Sequence, residues 1–342
     1  MTFPSAPEEL TETWLAEQLQ QPVTGFRVET LGEGAGMIGQ VRRVHLDGGT
    51  LPSIIAKFPA TAPENRAVAA TYDMYGREVN FYQNLVQDID LQAPQCYFSA
   101  IDQDTQDFVI LMEDIQGMRI GDQVAGCDAA DAAKVIRRIA RFHASTWDTD
   151  ADLISHNNPG QRDGMIGGFQ IGWPVVCEQF PEFVHDHADL IGRKMPEAVG
   201  PLLERMTQAP ISLCHADVRL DNIFFGDDDI TLVDWQSVCT SAPEQDLAYF
   251  VTQSLSTEVR QAEDWVAMYF QTLVQQGVSD YSLEACRERY RICALYLLCY
   301  AVVIAGTLDL ANERGQALGR TLFGNAMQSL YEIDAFSLLE TL

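Results

Sequence analysis

The sequence has few basic residues. Lys and Arg together number 22 against 49 Asp and Glu, which gives a formal net charge of −27 at pH 7. A field of that sign repels phosphodiester backbones and anionic lipid surfaces. We therefore expect no nucleic-acid partner and no membrane binding, and the acidity itself fits a solubility or salt-adaptation feature.

Other signals are also missing. None of the eight cysteines belongs to a C-x-x-C pair, so neither a zinc site nor a redox dithiol is indicated. The N-terminus carries Glu8 and Glu9 where a signal peptide needs Lys or Arg, and we expect a cytoplasmic protein with reduced thiols. Residues 292–308 form a charge-free run of 17 residues, which fits a buried core helix at least as well as a short membrane span.

What the sequence does contain is typical of a folded chain of about two lobes, with 342 residues, 47% hydrophobic and 21% charged. The first 115 residues read as strands around one long helix, followed by a mostly helical remainder. The predicted strands of the first part are 26–31, 41–46, 51–58 and 108–112, with a helix over 64–86. The later helices are 128–147, 256–276 and 283–310, with short strands near 211–214, 223–225 and 230–233. These patterns predict an α+β fold, with a small β-rich N-lobe at residues 1–115 and a larger helical C-lobe at 116–342.

Three glycines, Gly34, Gly36 and Gly39, fit the pattern G-x-G-x-x-G. A dinucleotide-binding fold would need a helix directly after the last glycine. Here the continuation through 41–57 reads as strand, turn and strand, which predicts a β-hairpin whose loop lies over phosphates. A merely tight turn, and a dinucleotide-dependent oxidoreductase resting on the glycines alone, are the alternatives.

Lys57 ends an apolar strand in the context Ile-Ile-Ala-Lys, similar to the V-A-I-K pattern that places an ammonium on the α- and β-phosphates. An acid on the following helix would hold it. Glu78 is the best candidate, because three apolar residues follow it at i+3, i+4 and i+7 and place it at the edge of the buried face. Asp73 and Glu64 are weaker candidates.

Two further stretches carry acids at spacings that suit phosphoryl transfer. Asp217 and Asn222 lie five residues apart after His215, as in H-R-D-x-x-x-x-N, and Asp234 ends a short apolar strand. A carboxylate can take the proton of an attacking hydroxyl, while an amide oxygen and a second carboxylate hold Mg²⁺ near the phosphates. Four elements in this order predict a kinase-like site.

With these motifs the chain resembles the protein-kinase-like small-molecule phosphotransferases, which include aminoglycoside phosphotransferases, choline kinases and ecdysteroid kinase-like proteins. The run from His215 to Asn222 is close to that family's H-G-D-x-x-x-x-N signature, and Asp234-Trp-Gln stands in place of its second metal-binding motif. The resemblance covers roughly residues 25–250.

The resemblance implies a two-lobed kinase-like fold with Mg²⁺ and ATP as cofactors. It implies Asp217 as the catalytic base, with Asn222 and Asp234 as metal ligands. Lys57 and the three glycines would contact the phosphates, and the backbone from Glu113 to Ile115 would bind adenine. By the same resemblance Asp246 is a structural acid that braces the catalytic loop, and His143, on an apolar helix stripe, is expected to be a core histidine.

Departures from the protein kinases indicate the branch of the superfamily. Ala216 stands where protein kinases have Arg, and Gln236 where they have the glycine of D-F-G. Ala242-Pro-Glu244 spells A-P-E but lies too close to Asp234 for an activation loop. We therefore expect an O-phosphotransferase acting on a hydroxyl of a small molecule, with a non-catalytic nucleotide-binding or scaffold protein as the alternative.

The acceptor is left open by the sequence. Residues 150–210, which would build its site, are no more acidic than the rest of the chain, so a cationic acceptor is not favoured. Trp173, Phe180 and Phe183 make an apolar acceptor equally compatible. The choice between ATP and GTP and the oligomeric state stay open as well.

Overall fold

The structure is a computed structural model, and it describes residues 3–31, 38–150, 153–184, 187–308 and 312–341. The chain divides into two compact units. The first consists of Met1–Gln87, Gln92–Met118 and Val233–Ser237, and the second of Asp88–Leu91, Arg119–Leu232 and Val238–Leu342. Five residues around Asp234 therefore belong to the first unit, although their neighbours in the sequence belong to the second.

The first unit is built on a five-stranded sheet of order β1-β2-β3-β5-β4, in which every neighbouring pair is antiparallel. Its elements in chain order are α1 (Glu12–Leu19), β1 (Gly25–Thr30), β2 (Gly39–Asp47), β3 (Ser53–Pro59), α2 (Pro63–Thr71), α3 (Met74–Asn80), β4 (Cys96–Ile101) and β5 (Phe108–Glu113). A π-helical turn at Phe81–Leu85 and a 3₁₀ turn at Val86–Asp88 follow α3.

Strand alternation places Lys57 in the sheet. Ile54, Ala56 and Phe58 are completely buried and belong to one apolar cluster with Leu15 and other residues of the α1 region. Successive side chains of a strand point to opposite faces of the sheet. Lys57, between Ala56 and Phe58, therefore projects from the face opposite this cluster.

The predicted helix over 64–86 is wrong as a single element, because the chain leaves the helix between α2 and α3. Asp73 adopts a left-handed conformation with φ of 51°, which Asp tolerates better than most residues. A Cβ on Gly76 would clash with the Asp73 carboxylate. The glycine thus makes room for the Asp73 side chain at the start of α3.

The second unit is mostly helical. Its elements in chain order are β6 (Arg119–Ile120), α4 (Ala129–Ser145), α5 (Pro159–Gln179), α6 (Ala188–Met206), β7 (Ser212–Cys214), β8 (Ile223–Phe225), β9 (Ile230–Leu232), β10 (Cys239–Ser241), α7 (Glu244–Tyr249), α8 (Thr257–Ala262), α9 (Trp265–Gln275), α10 (Leu283–Thr307) and α11 (Glu313–Glu332). The short strands form the sheets β6-β8-β9 and β10-β7. The α+β class, with a β-rich first part and a helical remainder, is confirmed.

The predicted helix over 256–276 is also two elements. Glu263 is extended, with φ of −146°, and the Asp264 side chain accepts a hydrogen bond from the Ala267 N–H to cap α9. Asp is among the preferred N-cap residues. The helical periodicity over 256–276 therefore corresponds to two helices, the second of which begins after the Asp264 cap.

Helix α10 contains the charge-free run. Among the described residues it is the one helix long and apolar enough to cross a membrane, and 67% of its most apolar window is buried inside the protein. It packs against α5, α7 and α11. Its apolar surface is thus used in the core of the second unit.

The three aromatic residues that left an apolar acceptor equally compatible with the sequence pack together. Trp173, Phe180 and Phe183 surround Phe323 of α11, with ring centroids 6.2 to 6.4 Å from it. Trp173 and Phe180 are buried. These contacts give Trp173 and Phe180 a place in the core and put the half-buried Phe183 against the same ring, so the three residues do not by themselves favour an apolar acceptor.

Candidate active site

A buried ammonium lies between two carboxylates in the first unit. Lys57 Nζ donates hydrogen bonds to Glu78 Oε1 at 2.6 Å and to Asp234 Oδ1 at 2.8 Å. The exposed fractions of the three side chains are 12% for Lys57, 2% for Glu78 and 23% for Asp234. Lys57 thus pairs with Glu78, the acid favoured from the sequence, and with Asp234, a partner that the sequence did not indicate.

The protonation of this cluster follows from its burial and charges. Burial by itself would lower the pKa of Lys57, but the carboxylates of Asp234 and Glu78 outweigh it and raise that pKa above its ordinary value. Burial raises the pKa of Glu78, against the opposing effect of the Lys57 ammonium. Lys57 is therefore a permanent cation at neutral pH.

Asp234 is fixed by an unusual turn and by its neighbour. Its φ of 69° is left-handed, and the ring of Trp235 stacks on Phe81 with centroids 3.9 Å apart and an interplanar angle of 6°. Trp235 is completely buried. The stacked pair, just after α3, holds the Asp234 turn beside Lys57.

The glycine loop is described in part. Gly34 and Gly36 lie outside the described residues, and Gly39 is the first residue of β2, opposite Pro59 of β3. A Cβ on Gly39 would lie 3.1 Å from the Phe58 carbonyl oxygen, which is a tight approach. The dinucleotide-binding alternative is wrong, because a strand and not a helix follows these glycines.

Tyr75 anchors the end of this loop. Its hydroxyl donates to the carbonyl oxygen of Ile38 at 2.5 Å and accepts from the N–H of Ala60 at 3.0 Å. It therefore connects α3 to the start of β2 and to the end of β3. No pattern in the sequence indicates this role, since a tyrosine near a helix N-terminus is usually an ordinary packing residue.

The segment predicted to contact adenine, from Glu113 to Ile115, begins at the end of strand β5. Glu113 ends β5 and donates its N–H to the Gln95 carbonyl oxygen at 2.8 Å, and the half-buried Ile115 lies beyond the strand. Asp114 between them is buried and accepts hydrogen bonds from Arg43 Nε at 2.8 Å and Ser53 Oγ at 2.6 Å. Asp114 thus fixes the backbone of this segment to β2 and β3, a role that its sequence context did not reveal.

In the second unit, Asp217 and Asn222 lie in one loop. The Asn222 amide nitrogen donates to Asp217 Oδ2 at 2.9 Å and to the Asp217 carbonyl oxygen at 3.0 Å. The Asp217 side chain is 15% exposed. The five-residue spacing therefore returns the amide to the carboxylate, which is held in place yet open to solvent.

Asp246 fastens this loop from helix α7. It is fully buried, and its carboxylate accepts the N–H groups of His215 and Ala216 at 2.8 Å each and contacts His143 Nε2 at 3.1 Å. Burial opposes its charge, but the hydrogen bond and charge of His143 and the N–H donors outweigh that effect and lower the pKa of Asp246. The structure forms the bracing contacts expected of Asp246.

His143 is buried among these groups, and its other ring nitrogen bonds to the Tyr269 hydroxyl at 2.6 Å. His143, Cys214 and Asp246 lie close enough together to hold a metal ion. Both ring nitrogens of His143 are, however, already used in hydrogen bonds. The cluster is thus accounted for as a hydrogen-bond network of the core.

Ala216 explains one departure from the family signature. Its φ is 62°, in the left-handed region, where glycine is the residue without steric cost. The family signature has glycine at this position, and the same turn is made here with alanine. The N–H groups of His215 and of Ala216 itself both donate to the Asp246 carboxylate and hold the backbone at this turn.

Comparisons with known proteins agree with the fold. The choline kinase of Cryptosporidium parvum Iowa II is 13% identical, and the match covers 98% of this chain and 96% of that one with a TM-score of 0.57. An ethanolamine kinase of Plasmodium vivax is 11% identical, over 93% and 83% of the two chains, with a TM-score of 0.51. The GDP complex of wild-type aminoglycoside 2'-phosphotransferase-IIIa is 13% identical, over 93% and 97%, with a TM-score of 0.51.

No curated protein sequence matches the chain. The sequence profile of the phosphotransferase enzyme family, in contrast, matches residues 34–280. That range contains Lys57, Glu78, the loop from Asp217 to Asn222 and Asp234, and it spans most of the chain. The chain therefore belongs to the phosphotransferase enzyme family, with the kinase-like α+β fold of its small-molecule kinases.

Proposed function

We propose that this protein transfers the γ-phosphoryl group of ATP to a hydroxyl of a small molecule. The observation that carries the proposal is the Asp217 loop. A partly exposed carboxylate receives a hydrogen bond from Asn222, and Asp246 clamps the backbone just before it. Phosphoryl transfer depends on positioning and charge more than on covalent chemistry, so a rigidly held acid is the central requirement.

Asp217 acts in this proposal as the catalytic base. Its carboxylate accepts the proton of the acceptor hydroxyl while that oxygen forms a bond to the γ-phosphorus, and the bond from the γ-phosphorus to the β–γ bridging oxygen breaks. The hydrogen bond from Asn222 Nδ2 limits rotation of the carboxylate. A base aimed at the acceptor in this way contributes typically 10²- to 10⁴-fold in rate.

Lys57 binds the α- and β-phosphates in the proposed complex. Its raised pKa keeps the charge that phosphate requires, and Glu78 is the buried anchor that stays with it. Asp234 is the more exposed of the two carboxylates and so the one open to a further ligand. Gly34, Gly36 and Gly39 would cover the phosphates, and the backbone from Glu113 to Ile115 would bind adenine.

The donor chemistry of two residues suits Mg²⁺. Asp234 offers a carboxylate, and Asn222 offers an amide oxygen because its nitrogen is used on Asp217. Hard oxygen ligands of this kind are those that Mg²⁺ prefers. When bound, the ion would neutralise charge on the phosphate oxygens.

In the proposed enzyme the two lobes have different roles. Residues 1–115 form the nucleotide-binding lobe, and residues 116–342 carry the catalytic loop and the acceptor site. We place the protein in the cytoplasm, where ATP and Mg²⁺ are abundant and its thiols remain reduced.

An assay of nucleotide turnover against a library of hydroxyl compounds tests the proposal. With Mg²⁺ and ATP, or GTP in a parallel series, we expect at least one acceptor to be phosphorylated, as detected by mass spectrometry. Asp217→Asn is the matched control, since it keeps the shape of the side chain and removes the base. Nucleotide binding without transfer to any acceptor would favour the non-catalytic alternative.

A further inference from the structure

Residues 119–126 lie against the part of the catalytic loop that leads to Asn222. Strand β6 of this segment pairs with β8, which begins directly after Asn222. The N–H of Gly121 donates to the Ile223 carbonyl oxygen at 2.9 Å, and a Cβ on Gly121 would clash with the carbonyl oxygen of Leu220. The segment is therefore in close backbone contact with the loop on both sides of Asn222.

Gln123 is a completely buried polar residue of this segment. Its side-chain Oε1 accepts a hydrogen bond from the N–H of Leu220 at 2.9 Å. Its backbone N–H donates to Asp221 Oδ1, also at 2.9 Å. Two consecutive residues just before Asn222 are thus held by one residue that lies 97 and 98 positions away in the sequence.

The Gln123 side chain is also bound to the helical segment that follows α7. Its Oε1 accepts the hydroxyl of Ser254 at 3.1 Å, and its Nε2 donates to the Gln253 carbonyl oxygen at 2.8 Å. Both partners lie in a buried π-helical turn, Phe250–Ser254, that continues α7. The side chain of Gln123 therefore bridges the catalytic loop and this turn.

The catalytic loop is thus attached to one continuous helical segment at both ends. At its entry, Asp246 of α7 accepts the N–H groups of His215 and Ala216. At its exit, Gln123 attaches Leu220 to the π-helical turn. An amide suits the exit, because it accepts from the loop and donates to the turn at once. The two attachments enclose the residues between them, which include the proposed base.

We propose that Gln123 is a positioning residue that holds the exit of the catalytic loop and thereby sets the place of Asn222 relative to Asp217. This inference rests on the proposed function of that loop. Gln123 acts through the backbone of Leu220 and through Asp221, so it affects the rate by keeping the geometry of the loop. A displacement of about 1 Å in such a site can cost on the order of 10²-fold in rate.

Gln123→Met tests the side-chain bonds, because methionine keeps most of the volume and removes both polar atoms. The N–H of Leu220 then loses its acceptor, while the bonds of His215 and Ala216 to Asp246 stay. In the free protein, hydrogen–deuterium exchange followed by mass spectrometry of overlapping peptides should become about tenfold faster at Leu220. Exchange at His215 and Ala216 should change much less.

In the activity assay, Gln123→Met should lower kcat about tenfold and raise the Mg²⁺ concentration that gives the half-maximal rate, with KM for ATP within about twofold. Arg291→Met is the control. Arg291 donates to the carbonyl oxygens of Ile333 at 3.1 Å and Asp334 at 2.6 Å, so its loss also removes hydrogen bonds of the second unit. It should lower the urea midpoint and leave kcat and the exchange at Leu220 unchanged.

A second pair of variants tests the other contact at a partly exposed position, where the variants should fold. The Asp221 side chain is 25% exposed. Asp221→Ala removes the acceptor of the Gln123 N–H, whereas Asp221→Asn keeps an amide oxygen in its place. We expect kcat to fall about fivefold in Asp221→Ala and to stay within about twofold of the wild type in Asp221→Asn.

Unchanged exchange at Leu220 in Gln123→Met, or an increase of the same size at His215 and Ala216, would overturn the inference. So would a kcat of Gln123→Met within about twofold of the wild type, or equal kcat values for the two Asp221 variants. Failure of the proposed function would appear differently, as a wild-type protein that phosphorylates no acceptor while exchange at Leu220 still depends on Gln123.

Discussion

Replacing Lys57 by methionine removes the cation of the buried cluster and keeps most of the side-chain volume. Two carboxylate oxygens, of Glu78 and Asp234, then remain around the position of the lost ammonium, where they lay 2.6 and 2.8 Å from Nζ. Removing one partner of a buried ion pair costs about 3–5 kcal/mol. Because Asp234 is 23% exposed, we expect the lower end, about 3 kcal/mol in the free energy of unfolding.

Glu78→Gln should lower the free energy of unfolding less than Lys57→Met does. It leaves Lys57 paired with Asp234, so only one charge-assisted hydrogen bond is weakened, at about 1.5 kcal/mol. The double variant Lys57→Met/Glu78→Gln should be more stable than Lys57→Met alone, since it no longer buries an uncompensated carboxylate. A non-additivity of this sign identifies the two residues as a coupled pair.

The stability of Lys57→Met should also depend on pH in a defined direction. Burial already raises the pKa of Glu78, and loss of the ammonium removes the main effect that opposes it. The folded variant then binds a proton at a pH where the unfolded chain does not. Its stability is therefore lost as pH rises and partly regained as pH falls and the Glu78 carboxyl takes up that proton.

Urea unfolding followed by tryptophan fluorescence measures these differences, because Trp235 is buried in the first unit next to Asp234. Lys194→Met is the control, since Lys194 has an exposed pair with Glu197 and should change stability by less than about 0.5 kcal/mol. Equal midpoints for Lys57→Met and the wild type at pH 7, or a difference between them that does not shrink as pH is lowered, would refute this account of the cluster.

Asp217→Ala should abolish measurable phosphoryl transfer, because loss of the base lowers the rate by a factor on the order of 10² to 10⁴, and its urea midpoint should be unchanged. Asn222→Ala should mainly raise the Mg²⁺ concentration that gives the half-maximal rate in a titration. Asp246→Asn should lower the free energy of unfolding by about 3 kcal/mol and reduce kcat, because it places an amide donor against one of two buried N–H groups; a wild-type urea midpoint would contradict this. Segment 235–241 is short, has no Arg or Lys and ends in the buried strand β10, so activity should need no phosphorylation. Alanine at its three hydroxyl residues should keep kcat within a few fold, and strong activation on phosphorylation, seen by mass spectrometry with an assay, would count against it.

Local sequence patterns determined the parts of this protein in which the relevant interactions are close along the chain. The strand, turn and strand pattern through residues 41–57 predicted the hairpin of β2 and β3, and with it a strand position for Lys57. Helical spacing selected Glu78 over Asp73. The loop from Asp217 to Asn222 is likewise a local feature, since five residues are enough for the amide to reach the carboxylate.

Contacts between residues far apart in the sequence were decided by the tertiary structure. The second carboxylate on Lys57, that of Asp234, is 177 residues away, and its place depends on a left-handed turn and on the stacking of Trp235 upon Phe81. The breaks at Asp73 and Asp264, the anchor at Tyr75 and the bonds of Gln123 to the catalytic loop are of the same kind. Periodicity indicates which face of a helix or strand is apolar. It does not indicate which distant polar group will contact that helix or strand, because such contacts are determined only once packing has fixed the positions of the backbones.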